Sequence, residues 1–222
     1  METFIIILRI IHIAAGCIAL LCGSGALLTR KKPARHRPFG LVYFWCMSVI
    51  FVTAVYLSVY RQNVFLFFIG IFTFHASFTA LRALKLKELH LGQKPLLKDW
   101  LAELLNILAN AGLLGVAGLS LYNGNVPFAI ISTVFGCLGL RGSYINIKRL
   151  KGETTLQNYW LIAHISGMTA SYIGAITAFT VNNNQWLHLP DVAAWLGPSL
   201  VLIPFVIYET GRLKKVKAHT IT

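Results

Sequence analysis

"WLIAHISGMTASYIGAITAF", Trp160 to Phe179, contains no Asp, Glu, Lys or Arg. At about 1.5 Å of rise per residue, a helix of this length covers the roughly 30 Å hydrocarbon core of a bilayer. The run is continuous rather than alternating, so a strand of a membrane barrel does not fit it. Yet it holds His164, with Ser166, Thr169, Ser171 and Tyr172 close behind. Polar groups at that depth need partners on neighbouring helices. The stretch therefore implies both an environment and an internal polar site.

The rest of the chain agrees. Of its 222 residues, 56% are hydrophobic and only 12% are charged, about half the charged share of a soluble domain. Seven apolar runs are long enough to span, at about 3–28, 39–60, 63–82, 97–121, 124–142, 158–181 and 190–211. The expected fold is all-α: an integral membrane bundle of seven transmembrane helices, forming a single domain over residues 1–222. The first run is too long for a signal-peptide core and lacks a basic leader, so it is expected to be retained. Short connections predict antiparallel hairpins for helices 2–3 and 4–5.

A formal charge of +13 suggests nucleic acid only if the charges share a surface. Instead they alternate with the spans. "TRKKPARHRPFG", "RALKLKELHLGQKPLLKD", "RGSYINIKRLKGE" and the tail "GRLKKVK" hold 18 of the 20 Lys and Arg residues. The opposite linkers hold only Arg61. The positive-inside rule then places the N-terminus out and the C-terminus in the cytoplasm, in a bacterial inner membrane. No nucleic-acid role follows. "LKLKELHLGQKPLLKDWLAEL" is expected to extend helix 3 or to lie at the interface, and Tyr60, Tyr122, Tyr159 and Trp186 to anchor at headgroups. Cys17, Cys22, Cys46 and Cys137 lack zinc or redox spacing and read as small core residues. Gly16, Ala19, Gly23 and Ala26 form one face of helix 1, and Gly136, Gly139 and Gly142 stand in helix 5. Both sets suit close helix packing or a flat cofactor.

The ionisable groups inside the spans carry the functional question. They are His12, His75, Glu103 and His164, with His36 at the entry to helix 2. By axial rise, His75 falls near the midplane, Glu103 and His164 about 9–10 Å towards the cytoplasm, and His12 roughly 5 Å outward. Asn106 and Asn110 continue the Glu103 face, and Met168 and Tyr172 continue that of His164. The expectation is that helix 6 turns His164 and Tyr172 towards Glu103, Asn106 and Asn110.

Four uses fit these residues. Haem b takes imidazole ligands: His36 with His164 would make an inner pair, His12 with His75 an outer one, and Arg9 would neutralise a propionate or snorkel to the surface. Non-haem iron or zinc would take His75, Glu103 and His164. A proton-coupled transporter would relay through Glu103 and His164. A scaffold subunit would use the same groups only to fix helices. The redox readings imply electron transfer or complex assembly, with a quinone or a redox-complex subunit as partner. No enzyme class is specified: there is no P-loop, dinucleotide fingerprint, G-x-S-x-G or H-E-x-x-H. His90, His188 and His219 read as solvated.

"HIAAGCIALLCGSGALLTRK", "HRPFGLVYFWCM" and "WLIAHISGMTASYIGAITAFTV" resemble the bacterial multi-pass membrane family called domain of unknown function 2306. His12, His36, Gly40, Trp160, His164 and Met168 occupy the family's pattern, and the resemblance extends over most of the chain. It implies a multi-pass membrane fold and no established activity. The histidine-per-helix layout is also similar, in architecture only, to membrane b-type cytochromes. The H-x-x-x-H pair of seven-helix zinc hydrolases is missing.

Overall fold

Long apolar helices dominate the computed structural model, which describes residues 1–154 and 156–215. They are α1 (Glu2–Leu28), α2 (Pro33–Tyr60), α3 (Val64–Ala83), α4 (Leu97–Tyr122), α5 (Val126–Leu150), α6 (Tyr159–Asn182), the single-turn α7 (Asn184–Leu187) and α8 (Asp191–Lys215). All but α7 are long and apolar enough to cross a membrane, seven among the described residues, and no strand occurs among those residues. The chain is an all-helical, multi-pass integral membrane protein. Its surface carries large side chains such as Ile10, Leu21, Val52 and Leu108, while Asp99, Glu103, Asn106, Asn110, Ser143 and Ser171 are buried. That inside-out distribution suits a lipid solvent, where polar groups must find each other.

Two compact units divide the chain, Met1–Phe74 and His75–Thr222. In the first, α1 and α2 pack as an antiparallel pair. Pro33 opens α2, where a missing N–H costs nothing. Ala15, Ala19 and Gly23 are the buried face of α1, so packing accounts for most of its small-residue stripe. The exception is Gly16, where an added methyl would meet nothing. The first turns of α3 fold back on α2. Phe51 stacks on Phe74 at 4.5 Å between ring centroids, and Ala54 lies against Gly70, the register of the expected hairpin.

In the second unit α4 packs on α5, and α8 packs on both α5 and α6. The α4–α5 register is antiparallel: Asn106 meets Ser143, Asn110 meets Gly139, and Leu114 meets Gly136. A methyl on Gly139 would overlap the Asn110 amide, whereas one on Gly142 would touch nothing. Gly139 is thus required by the close approach of the two helices.

Four expectations need correction. Helix 5 does not stop near 142 but continues to Leu150: "RGSYINIKRL" contains no proline, and its single glycine costs only about 1 kcal/mol. The linker after α3 does not extend that helix, which ends at Ala83. It makes a 3-10 turn, Leu89–Leu91, and buries Leu86 and Leu89 against Leu150 and Tyr159. Tyr159 is therefore core rather than an interfacial anchor, while Tyr60, Tyr122 and Trp186 are exposed. The cysteines are not core: Cys17 and Cys137 are exposed and Cys22 and Cys46 half-buried, all as free thiols. Lys217 and His219 of the basic tail lie outside the described residues.

Candidate functional site

The inward face of α4 is a buried polar stripe. Asp99, Glu103, Asn106 and Asn110 follow one another at four, three and four residues, the spacing of a single helical face, and all are buried. Each reaches a partner. Asp99 takes a bidentate bond from Arg82 of α3, Nε to Oδ1 at 2.6 Å and Nη2 to Oδ2 at 2.8 Å. Its Oδ2 also accepts the Leu96 N–H at 2.9 Å, closing the first turn of α4. The Asn106 amide donates to the Gly139 carbonyl at 3.2 Å and to Ser143 at 2.9 Å. Asn110 donates back to Asn106 at 2.7 and 2.9 Å.

Glu103 differs. Its Oε1 lies 3.0 Å from Nε2 of His75, with side chains 3% and 8% exposed. The two atoms touch without the alignment of a hydrogen bond, and Glu103 Oε2 is buried with no hydrogen-bond donor on it. Beside this pair, towards the end of the unit where α3 and α5 finish and α4 and α6 begin, sits a cavity of about 20 Å³. On the same measure roughly 10–15 Å³ admits one water. Arg82, Asp99, Glu103, Arg149 and Tyr159 line it, with Leu86, Leu89 and Leu150 as apolar wall. Arg149 Nε is buried without an acceptor. The Tyr159 hydroxyl is spent: it donates to the Leu86 carbonyl and accepts the Leu89 N–H at 3.1 Å, which pins the 3-10 turn over the cavity.

Two members of the expected metal set, His75 and Glu103, come together. The third, His164, places Nδ1 3.2 Å from the Ala80 carbonyl of α3, and Glu103 receives an imidazole from α3 instead of α6. Gly167, one turn further on, lets α6 approach the Ala76 carbonyl and Ala80, which holds His164 at that level. Among the described residues no three His, Cys, Asp or Glu side chains gather as a metal-binding group. Tyr172 is buried and Met168 half-buried.

In the first unit, His12 Nδ1 lies 2.8 Å from Thr53 Oγ1. The Thr53 hydroxyl donates to the Val49 carbonyl at 2.8 Å, so the imidazole is the donor to Thr53. His36 donates from Nδ1 to the Ala26 carbonyl at 2.9 Å. Arg9 is exposed, as snorkelling requires. His188 is exposed as expected, but His90 is not solvated: its Nδ1 is buried and its ring meets Tyr159 edge-on at 6.0 Å.

Arg82, Asp99 and Arg149 were not legible as site residues. Each stands in a terminal turn next to a basic linker, where a hydropathy boundary assigns it to the headgroups. Residues 9–107 match the family described as "Predicted membrane protein (DUF2306)". This is the family that the sequence motifs resemble. The match contains His12, His36, Gly40, His75, Arg82, Asp99 and Glu103; Trp160, His164 and Met168 lie beyond it. No curated protein and no solved structure matches the chain.

Proposed function

We propose that this chain is a proton-coupled membrane carrier in which Glu103 and His75 take up and release the proton. The observation that carries the reading is the buried carboxylate–imidazole contact, with one carboxylate oxygen and the facing ring nitrogen left without an aligned hydrogen bond. A group serving only to fasten helices gains most when fully satisfied, as Asn106 is. A buried carboxylate oxygen and ring nitrogen left unsatisfied are, unlike a buried amide or hydroxyl, groups that can take up a proton. A carboxylate and an imidazole in contact can share one proton between them. The proton partner is His75 rather than His164, which is engaged at Ala80. The charge asymmetry of the linkers orients the carrier with its N-terminus outside and its Arg82–Arg149 end towards the cytoplasm of a bacterium.

Infrared difference spectroscopy of protein in lipid, titrated from about pH 9 to about pH 4, tests this across the ordinary carboxylate and imidazole range. Acidification should raise a protonated-carboxyl band that Glu103→Gln abolishes and His75→Gln shifts to another midpoint. A spectrum unchanged by Glu103→Gln defeats the reading.

A second reading, binding of haem b or a metal ion, has its own support. His12, His36 and His164 each set Nδ1 against a hydroxyl or carbonyl oxygen. Such a bond orients an imidazole, as it does in histidines that ligate metals. When bound, haem would supply one-electron chemistry. A visible spectrum with metal analysis of mildly extracted protein decides it: a Soret band, or stoichiometric metal, lost in His12→Ala supports ligation, and a featureless, metal-free preparation sinks it.

A further inference from the structure

We propose that the cavity beside Arg149 binds one small monovalent anion of halide size, and that the anion enters together with the proton on Glu103. This rests on the proton reading above and names what the carrier couples to it.

The inference comes from charge accounting inside one cavity. Two guanidinium groups and two carboxylates line it. Arg82 and Asp99 cancel through their bidentate bond. Arg149 then faces Glu103 as its remaining counter-charge. The two groups attract, but Arg149 makes no hydrogen bond or ion pair among the described residues, and its Nε is buried without an acceptor. When Glu103 takes a proton, the cavity keeps one uncompensated positive charge in a largely apolar surround. Arg149 is half-buried with its Nε inside the protein; a charge taken part-way out of water without a partner is unfavourable, and an anion at Arg149 restores neutrality. Proton and anion thus favour each other reciprocally.

The donors and the size set the class. Arg149 offers Nε, and Arg82 keeps its Nη1 group after Nε and Nη2 are spent on Asp99. The other hydroxyls are engaged: Tyr159 with Leu86 and Leu89, and Thr79 with the His75 carbonyl at 2.8 Å. The groups facing Glu103 are therefore His75 and Arg82 from α3, Asp99 from α4, Arg149 from α5 and the committed Tyr159 from α6. About 20 Å³ within a wall of Leu86, Leu89 and Leu150 has room for an ion near the size of one water. Phosphate and lipid headgroups are larger than that.

The test uses the full chain in proteoliposomes, with membrane voltage clamped. An inward proton gradient should drive radiochloride uptake above empty vesicles. Arg149→Gln should lower uptake about tenfold or more, and Arg149→Lys, which keeps the charge, should retain part of it. Glu103→Gln should leave chloride exchange but remove its dependence on pH. In the infrared titration, chloride or bromide in place of gluconate should raise the midpoint of the Glu103 band, and sulfate or inorganic phosphate should not. If the band titrates identically in chloride and gluconate, the anion inference falls while the proton reading stands. If phosphate shifts it as chloride does, the halide assignment is wrong. If no Glu103 band exists, both readings fall.

Discussion

The α1–α2 pair closes on Ala15, Ala19 and Gly23, with His12–Thr53 and His36–Ala26 among its polar contacts. The α4–α5 pair closes on Asn106, Asn110, Gly139 and Ser143, continued at one end by Glu103 and Asp99. Both are antiparallel, and both are built of helices of similar length. The difference lies in what the seams exclude. Lipid offers no hydrophobic force between helices, so the first pair gains from close backbone approach and dispersion. The second spends the same seam on amide bonds and then adds charge, which requires α3 to supply Arg82 and His75. A small-residue seam tolerates the loss of a polar contact. A charged one does not, because the abandoned charge stays buried.

The strongest way to break this contrast is Asp99→Ala. Removing one side of a buried ion pair costs about 3–5 kcal/mol, and here it strands Arg82 and frees the Leu96 N–H. Reversible unfolding in mixed micelles should show that loss. Arg82→Met with Asp99→Leu should recover most of it, since an apolar pair leaves no charge behind. If Asp99→Ala costs no more than an ordinary surface change, the charged end is not a structural keystone.

Gly139→Ala sharpens the comparison within a single helix. Its methyl would overlap the Asn110 amide, and overpacking typically costs about 1–3 kcal/mol. Gly142→Ala, three residues on, meets open space and should be neutral or slightly favourable in the same unfolding measurement. Equal effects at the two positions would show that α4 and α5 do not approach as closely as described.

The bundle was readable because length and apolarity report directly on the solvent. Trp160–Phe179 is a span by composition alone, and six further runs follow the same rule. Glu103, Asn106 and Asn110 were readable as one face, since the 3.6-residue period survives inside an apolar run. Partner identity was not. Whether Glu103 meets His75 or His164 depends on which helix stands beside α4, and helix neighbours leave no trace in local spacing. The family match stops at residue 107, so it adds nothing about α5 or α6. Arg149 was hidden for another reason. Hydropathy falls where "RGSYINIKRL" begins, although its helix propensity does not, so a residue seven positions past the apparent end was assigned to water. His90 and Tyr159 were misplaced similarly, because a basic linker that folds back under a bundle reads like one that lies on the membrane.

The smallest expected effect belongs to the first seam. Thr53→Val keeps the shape of the side chain and removes the hydroxyl that His12 uses. Interhelical hydrogen bonds in membranes average about 0.6 kcal/mol, because a side chain released in lipid finds another acceptor. The Thr53 hydroxyl itself donates within its own helix, so only the His12 N–H loses its acceptor. Stability should fall by about that amount, and the infrared Glu103 band should not move. A loss as large as that of Asp99→Ala would mean that the His12 contact governs the first unit as the ion pair governs the second. The distinction between a seam held by close approach and one held by charge would then disappear.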